Sequence, residues 1–218
     1  KRPRTWHGFH LFAIDGSTAH LNGVDSKCRH YLDPEAESRG RRCTLARLSQ
    51  CYDVLNHLSV QATLAPYAVG ERTLALEHVE NCATDKTLFL LDSGYPAFWL
   101  FTAIIKEGAQ FCARIPTGSW TALLGEFLKS DLREQIITFT PNEKMKADCR
   151  ERRLPCEPLI LRAIKVELNT GETEVLLTTL VDARKWPIDL FAALYEKRWG
   201  VESNYNHVKN RVELERLS

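Results

Sequence analysis

The stretch "TLFLLD", Thr87 to Asp92, constrains the fold more than any other. Its first five residues carry no charge and are almost wholly apolar, so neither face of the segment can be left to solvent. It is bounded and short, as a strand covered on both faces should be, and such a strand needs other layers above and below it. "FHLFAID" (Phe9 to Asp15) has the same character and runs into an Asp-Gly pair that reads as a turn. "PAFWLFTAIIKEG" opens with Pro and closes with Gly, the punctuation of a helix. "GERTLALEHVENC" spaces its apolar residues helically, and "CTLARLSQCYDVL", "HLSVQATLAPY" and "AQFCARI" read as further strands. Strands, helix, strand, helix, strand in that order predict a mixed α/β sheet.

The rest of the chain sets limits on this core. With 44% hydrophobic and 26% charged residues, the composition supports a substantial interior. A net charge of +1 excludes a global basic field, so any contact with nucleic acid must use local patches. Seven irregularly spaced cysteines suit a reducing compartment better than a disulfide framework. No apolar run is long enough to cross a membrane. From Pro116 to Leu154 periodicity is weak and charges are many. "PLILRAIKVEL" and "TEVLLTTLV" then flank "NTGE", a β-hairpin signal with Gly in the turn. Residues 116–178 are therefore expected to be a β-rich insertion into an α/β domain made of residues 1–115 and 179–218.

Near the end of the chain, "WPIDLFAALYEKRWGVESNYNHVKNRVELE" reads as one helix with Pro187 near its start. Leu190, Leu194, Val201, Val208 and Val212 fall in one narrow sector, the buried face. Tyr195, Arg198, Glu202 and Lys209 form a second sector of roughly 60° beside it, so a charged row points at the domain. An ordinary reading is a salt-bridge ladder, since Arg198 and Glu202 are four apart. That reading leaves Tyr195 and Lys209 unexplained.

Asp15 and Asp92 each close an apolar run. One such Asp is usually a turn residue. Two of them on neighbouring parallel strands would stand side by side, at the edge where α/β sheets gather function. A helix bringing Glu202 to the same place would complete a three-carboxylate cluster, costly without cations and suited to Mg²⁺ or Mn²⁺. Two such ions about 4 Å apart would activate a nucleophile and stabilise a leaving oxygen in phosphoryl transfer.

These residues resemble the DDE transposases of bacterial insertion sequences, in the subgroup marked by a Y-x2-R-x3-E-x6-K signature. Tyr195, Arg198, Glu202 and Lys209 match it at every spacing, while "AIDGST" and "LLDSGYP" resemble the first two acidic motifs. Ser93 departs from a basic residue often found there. The resemblance implies an RNase H-like mixed sheet flanked by helices, with a mostly β insertion before the Glu helix. It implies that Asp15, Asp92 and Glu202 hold two Mg²⁺ or Mn²⁺ ions, and that Tyr195, Arg198 and Lys209 contact DNA phosphates. The implied substrates are double-stranded DNA, namely terminal inverted repeats and target, cut and joined by a dimer in the bacterial cytoplasm, at the nucleoid. A metal-dependent nuclease of the same fold, or a non-catalytic DNA-binding descendant, are the alternatives.

Other features carry less. Cys28, His30, Cys43 and Cys51 fit no compact zinc-finger spacing. Basic "RGRR" and "CRERR" are expected to be solvated, and Trp120 to be core rather than a platform for a flipped base. No helix-turn-helix is visible and the first residue is Lys, so the chain is expected to be part of a longer protein that binds DNA ends poorly alone.

Overall fold

The computed structural model describes residues 2–20, 44–167 and 173–204. In chain order the elements are β1 (His10–His20), β2 (Leu45–Asp53), β3 (Leu58–Pro66), α1 (Glu71–Cys82), β4 (Thr87–Leu91), α2 (Phe98–Lys106), β5 (Gln110–Arg114), α3 (Thr121–Lys129), β6 (Glu134–Phe139), α4 (Glu143–Glu151), β7 (Leu159–Glu167), β8 (Thr173–Thr178) and α5 (Leu190–Glu196). The strands form a single sheet in the order β3-β2-β1-β4-β5-β8-β7-β6. β1, β4 and β5 are mutually parallel, and every other neighbouring pair is antiparallel. Helices flank this mixed sheet, which is RNase H-like. Residues 116–178 contribute β6, β7 and β8, which continue the same sheet beyond β5, together with α3 and α4.

Side-chain alternation sorts the apolar residues into two cores. Phe12, Ile14, Phe89, Leu91 and Phe111 face α1 and α2, and α3 adds Leu124 and Phe127 on that side. Leu11, Ala13, Leu88, Leu90 and Cys112 face the other way, against Phe191, Leu194, Tyr195 and Val201. All five residues of β4 are buried, which is why its sequence shows no alternation. Both the helix and the strand expected on either side of β4 form where the punctuation places them.

Two local expectations change. β1 does not turn at Asp15 but runs on to His20. β2 stays paired with it through Gly16↔Ser49 and as far as His20↔Leu45, after β4 has ended at Leu91. The Asp-Gly pair therefore sits inside a strand that has lost one of its two neighbours. The C-terminal helix is also not uniform. The amides of Lys197, Arg198, Gly200 and Val201 bond three residues back, to Leu194, Tyr195, Lys197 and Arg198, before helix resumes over 199–204. Such a tightened turn advances roughly 20° more per residue than an α-helix, which rotates Arg198 inward.

Arg162 on β7 holds the approach to that helix. It is buried, pairs with Glu134, donates to the carbonyls of Leu180 and Trp186 (3.4 and 2.6 Å), and lies 5.2 Å from the Phe191 ring. On the opposite face, fully buried His78 ties α1 to β3 and β2, with ring nitrogens 2.9 Å from Gln61 Oε1 and 3.0 Å from Ser49 Oγ.

Burial, opposed in part by Glu77 and Ser49, holds His78 below its ordinary value of 6.5. The unfolded chain then takes up this proton before the folded one, so the stability present above 6.5 is lost as the pH falls below it. In denaturant titrations the loss between about pH 7 and pH 5 should be shallower for His78→Gln than for wild type. Equal slopes would remove His78 as a cause.

Candidate active site

Register and parity decide what meets at the C-terminal end of β4. Ile14 and Leu91 are partners across β1 and β4, and Leu91 and Ala113 across β4 and β5. The next residues, Asp15, Asp92 and Arg114, therefore form a row, with adjacent strands about 5 Å apart. Ile14, Leu91 and Ala113 belong to the core beneath α1 and α2, so the row projects to the opposite face, the one α5 covers. Arg114 is paired with Leu176 of β8, which makes Glu174 its diagonal neighbour on the same face. Gly16 lets Glu71 of α1 come close behind the row, since a Cβ there would stand 3.1 Å from that side chain.

From the helix side, Tyr195 and Arg198 are buried and Glu202 is half-exposed. Asn204 donates to Gln50 on β2 at 3.0 Å, and Val201 is buried, so segment 199–204 is fastened to the sheet at both ends. The Tyr195 hydroxyl lies 3.4 Å from both the Leu91 carbonyl and Asp92 Oδ1. Arg198 Nη1 lies 2.8 Å from Glu202 Oε1, and its guanidinium sits 4.7 Å from the Trp199 ring. Yet neither Nη1 nor Nε of Arg198 makes a well-directed hydrogen bond among the described residues. Lys209 lies outside the described residues, as do Cys28, His30, Cys43 and the basic stretch 39–42.

The two aspartates are electrostatically unlike. Asp15 is raised to about 6, chiefly by burial, with Glu202 and Asp92 adding to it and the Gly16 amide and Arg198 opposing. Burial also pushes Asp92 upward, but Arg198, the Ser93 amide and Arg114 outweigh it and hold Asp92 below its ordinary value. Arg114 is the main local difference. Its Nε and Nη2 lie 2.9 and 2.7 Å from Asp92 Oδ1, and its Nη1 lies 2.5 Å from Glu174 Oε1.

The structure thus gathers Asp15, Asp92, Tyr195, Arg198 and Glu202 at one edge. No three Asp, Glu, His or Cys side chains among the described residues are drawn into an ion cage. The donor set nevertheless fits hard divalent cations, because a buried carboxyl that feels two other carboxylates gains from added positive charge. Asp15, Asp92 and Glu202 are the residues that would hold such ions. Sequence reasoning misses Arg114 and Glu174. Arg114 follows an apolar strand just as the aspartates do, but its partner Glu174 is identified only by strand order. Trp120 is partly buried and packs against the edge of the core, 5.3 Å from Phe139 and 6.2 Å from Phe101. Cys149 is buried, and Arg152 covers the Trp99 ring.

Residues 6–218 match the family described as Transposase DDE domain. The chain belongs to that family. It is also similar to the transposase InsG for insertion sequence element IS4 of Escherichia coli (strain K12), with 23% identity over 215 residues, 98% of this chain and 47% of the relative. The chain therefore spans about half the length of that relative. No described helix is long and apolar enough to cross a membrane.

Opposite stability effects should follow from the two aspartates in metal-free protein. Asp15→Asn removes a charge that burial disfavours and should stabilise the fold at neutral pH by roughly 1 kcal/mol after solvent screening. Because the folded value lies above the unfolded one, the wild-type penalty is complete above about 6, shrinks as the pH falls from there and is gone below 3.8, and the gain should fade over the same window. Asp92→Asn leaves Arg114 and Arg198 undercompensated and should destabilise by about 1–2 kcal/mol. Urea titrations with chelator present give both signs, and equal effects would contradict the asymmetry.

Proposed function

We propose that this chain is the catalytic part of an insertion-sequence transposase of the Y-x2-R-x3-E-x6-K type. It cleaves double-stranded DNA at transposon ends and joins the freed 3′-hydroxyl to target DNA. The observation that carries this reading is Arg198: a buried guanidinium, ion-paired with Glu202 at 2.8 Å and set with Asp15 and Asp92 at the end of parallel strands. A buried guanidinium that can trade one carboxylate for another anion is suited to one with several acceptor oxygens, and a phosphodiester provides them.

Asp15, Asp92 and Glu202 would hold two Mg²⁺ or Mn²⁺ ions, which would supply Lewis acidity for phosphoryl transfer. The protein's own groups position and compensate. Strand register fixes the level of Asp15 and Asp92, and Tyr195, expected from the resemblance to contact DNA phosphate, is buried here with its hydroxyl 3.4 Å from Asp92 Oδ1. Arg198, ion-paired with Glu202, would be able to hold phosphate oxygens in place of that carboxylate. Lys209, seven residues beyond Glu202, extends the same row along the DNA backbone. Joining two ends to one target needs two copies of the active chain, so a dimer is the working assembly on DNA.

The test uses labelled terminal-inverted-repeat DNA with Mg²⁺ or Mn²⁺, and a full-length protein containing this chain. Asp15→Asn, Asp92→Asn and Glu202→Gln should each lower end cleavage at least about 10³-fold without loss of DNA binding. Nicking without strand joining in wild type would favour a nuclease instead, and unaltered cleavage in any acid variant would remove that residue from the site.

Arg198→Ala should act on binding as well as chemistry. Its loss should weaken affinity for transposon ends and reduce the dependence of log affinity on log salt by about one phosphate contact. A salt slope identical to wild type would return Arg198 to a structural role.

A further inference from the structure

Strand register places Asp15, Asp92 and Arg114 along one row with Glu174 diagonal to Arg114 on the same face, and only the two aspartates belong to the acidic motifs. Arg114 spans the gap between Asp92 and Glu174. It reaches Asp92 Oδ1 at 2.7 Å through Nη2 and Glu174 Oε1 at 2.5 Å through Nη1, and Nη2 also lies 3.4 Å from Ser93 Oγ. The Glu174 side chain is 15% exposed, less than the 28% of Asp92 or Arg114, so it is the best-shielded member of the triad. Its place is set by backbone as well as side chain, since the Ile115 amide bonds the Val175 carbonyl at 2.9 Å.

We propose that Glu174 is a positioning residue for Asp92, acting through Arg114. Arg114 shares its planar fork between the two carboxylates and places positive charge at Asp92. A divalent cation that takes Asp92 must compete with that guanidinium. Glu174 keeps Arg114 bonded after Asp92 turns away, so the displaced cation is not left buried and unpaired. This role rests on the assignment of Asp92 as a metal ligand. It also gives segment 116–178, through β8, a direct part in the site.

The two members of the pair should shift metal affinity in opposite directions, and not independently. Mn²⁺ binding to the 218-residue chain is measured by isothermal titration calorimetry for wild type, Arg114→Met, Glu174→Gln and the double variant, with folding checked by circular dichroism. Arg114→Met removes the competitor and should tighten Mn²⁺ binding. Glu174→Gln leaves Arg114 on Asp92 and should weaken it, each by roughly tenfold. In the Arg114→Met background Glu174→Gln should have no effect, because its influence passes through Arg114. Glu174→Asp, which keeps the charge on a shorter arm, should fall between wild type and Glu174→Gln and serves if the Gln variant fails to fold. Weakening by the same factor in both backgrounds would show that Glu174 acts on the cation directly and would overturn the role. If Asp92→Asn leaves Mn²⁺ affinity unchanged, the assignment of Asp92 itself fails, and the positioning role with it.

Discussion

The pairing of Ile14 with Leu91 across β1 and β4 is the constraint on which the rest of the site depends. Parallel strands place equivalent residues side by side, so the next position in each chain delivers two carboxylates to the same level. A slip of one residue would turn either aspartate into the core beneath α1 and α2. The register is held because Phe12, Ile14, Phe89 and Leu91 fill one core while Leu11, Ala13, Leu88 and Leu90 fill the other. Burial on both faces makes every alternative pairing expensive. The acidic edge is thus a by-product of a hydrophobic choice, and mutations far from it in β1 or β4 bear on its geometry.

Bringing acids together creates a charge problem, which this chain meets with arginine on two sides. Arg198 comes from the helix and Arg114 from the adjoining strand. Both lower Asp92, whereas Asp15 has the Gly16 amide and Arg198 against the effect of burial. The result is one carboxyl poised near neutrality and one firmly ionised, an environment built for changes in local charge. Arginine is the apt counter-ion here. It stays charged when buried and can exchange one carboxylate for another, or for a phosphate, without giving up a proton.

Much of this was legible in the sequence, and the reasons are physical. Uninterrupted apolar runs mark β1 and β4 because central strands are covered on both faces, and a charged residue at the end of such a run marks the edge. Helical spacing placed Arg198 and Glu202 together, and they are ion-paired. The turn inferred at Asp15 was illegible because β2 continues pairing past the end of β4, a fact of tertiary neighbourhood. The tightened turn at 197–198 breaks the uniform helical period used to place the row, and no side-chain pattern announces it. The Arg114–Glu174 link joins residues 60 apart and exists only because β8 lies beside β5. The same holds for Arg162, whose partners come from β6 and from the loop before α5.

The most direct measurement is an anomalous difference map from crystals of this chain soaked in Mn²⁺. Peaks should lie between Asp15, Asp92 and Glu202, with carboxylate oxygens about 2.1 Å away and the Arg198–Glu202 contact opened. Saturating Mn²⁺ that leaves those three carboxylates without a peak, or that settles elsewhere with both arginine pairs intact, would contradict a metal-dependent active site at this edge of the sheet.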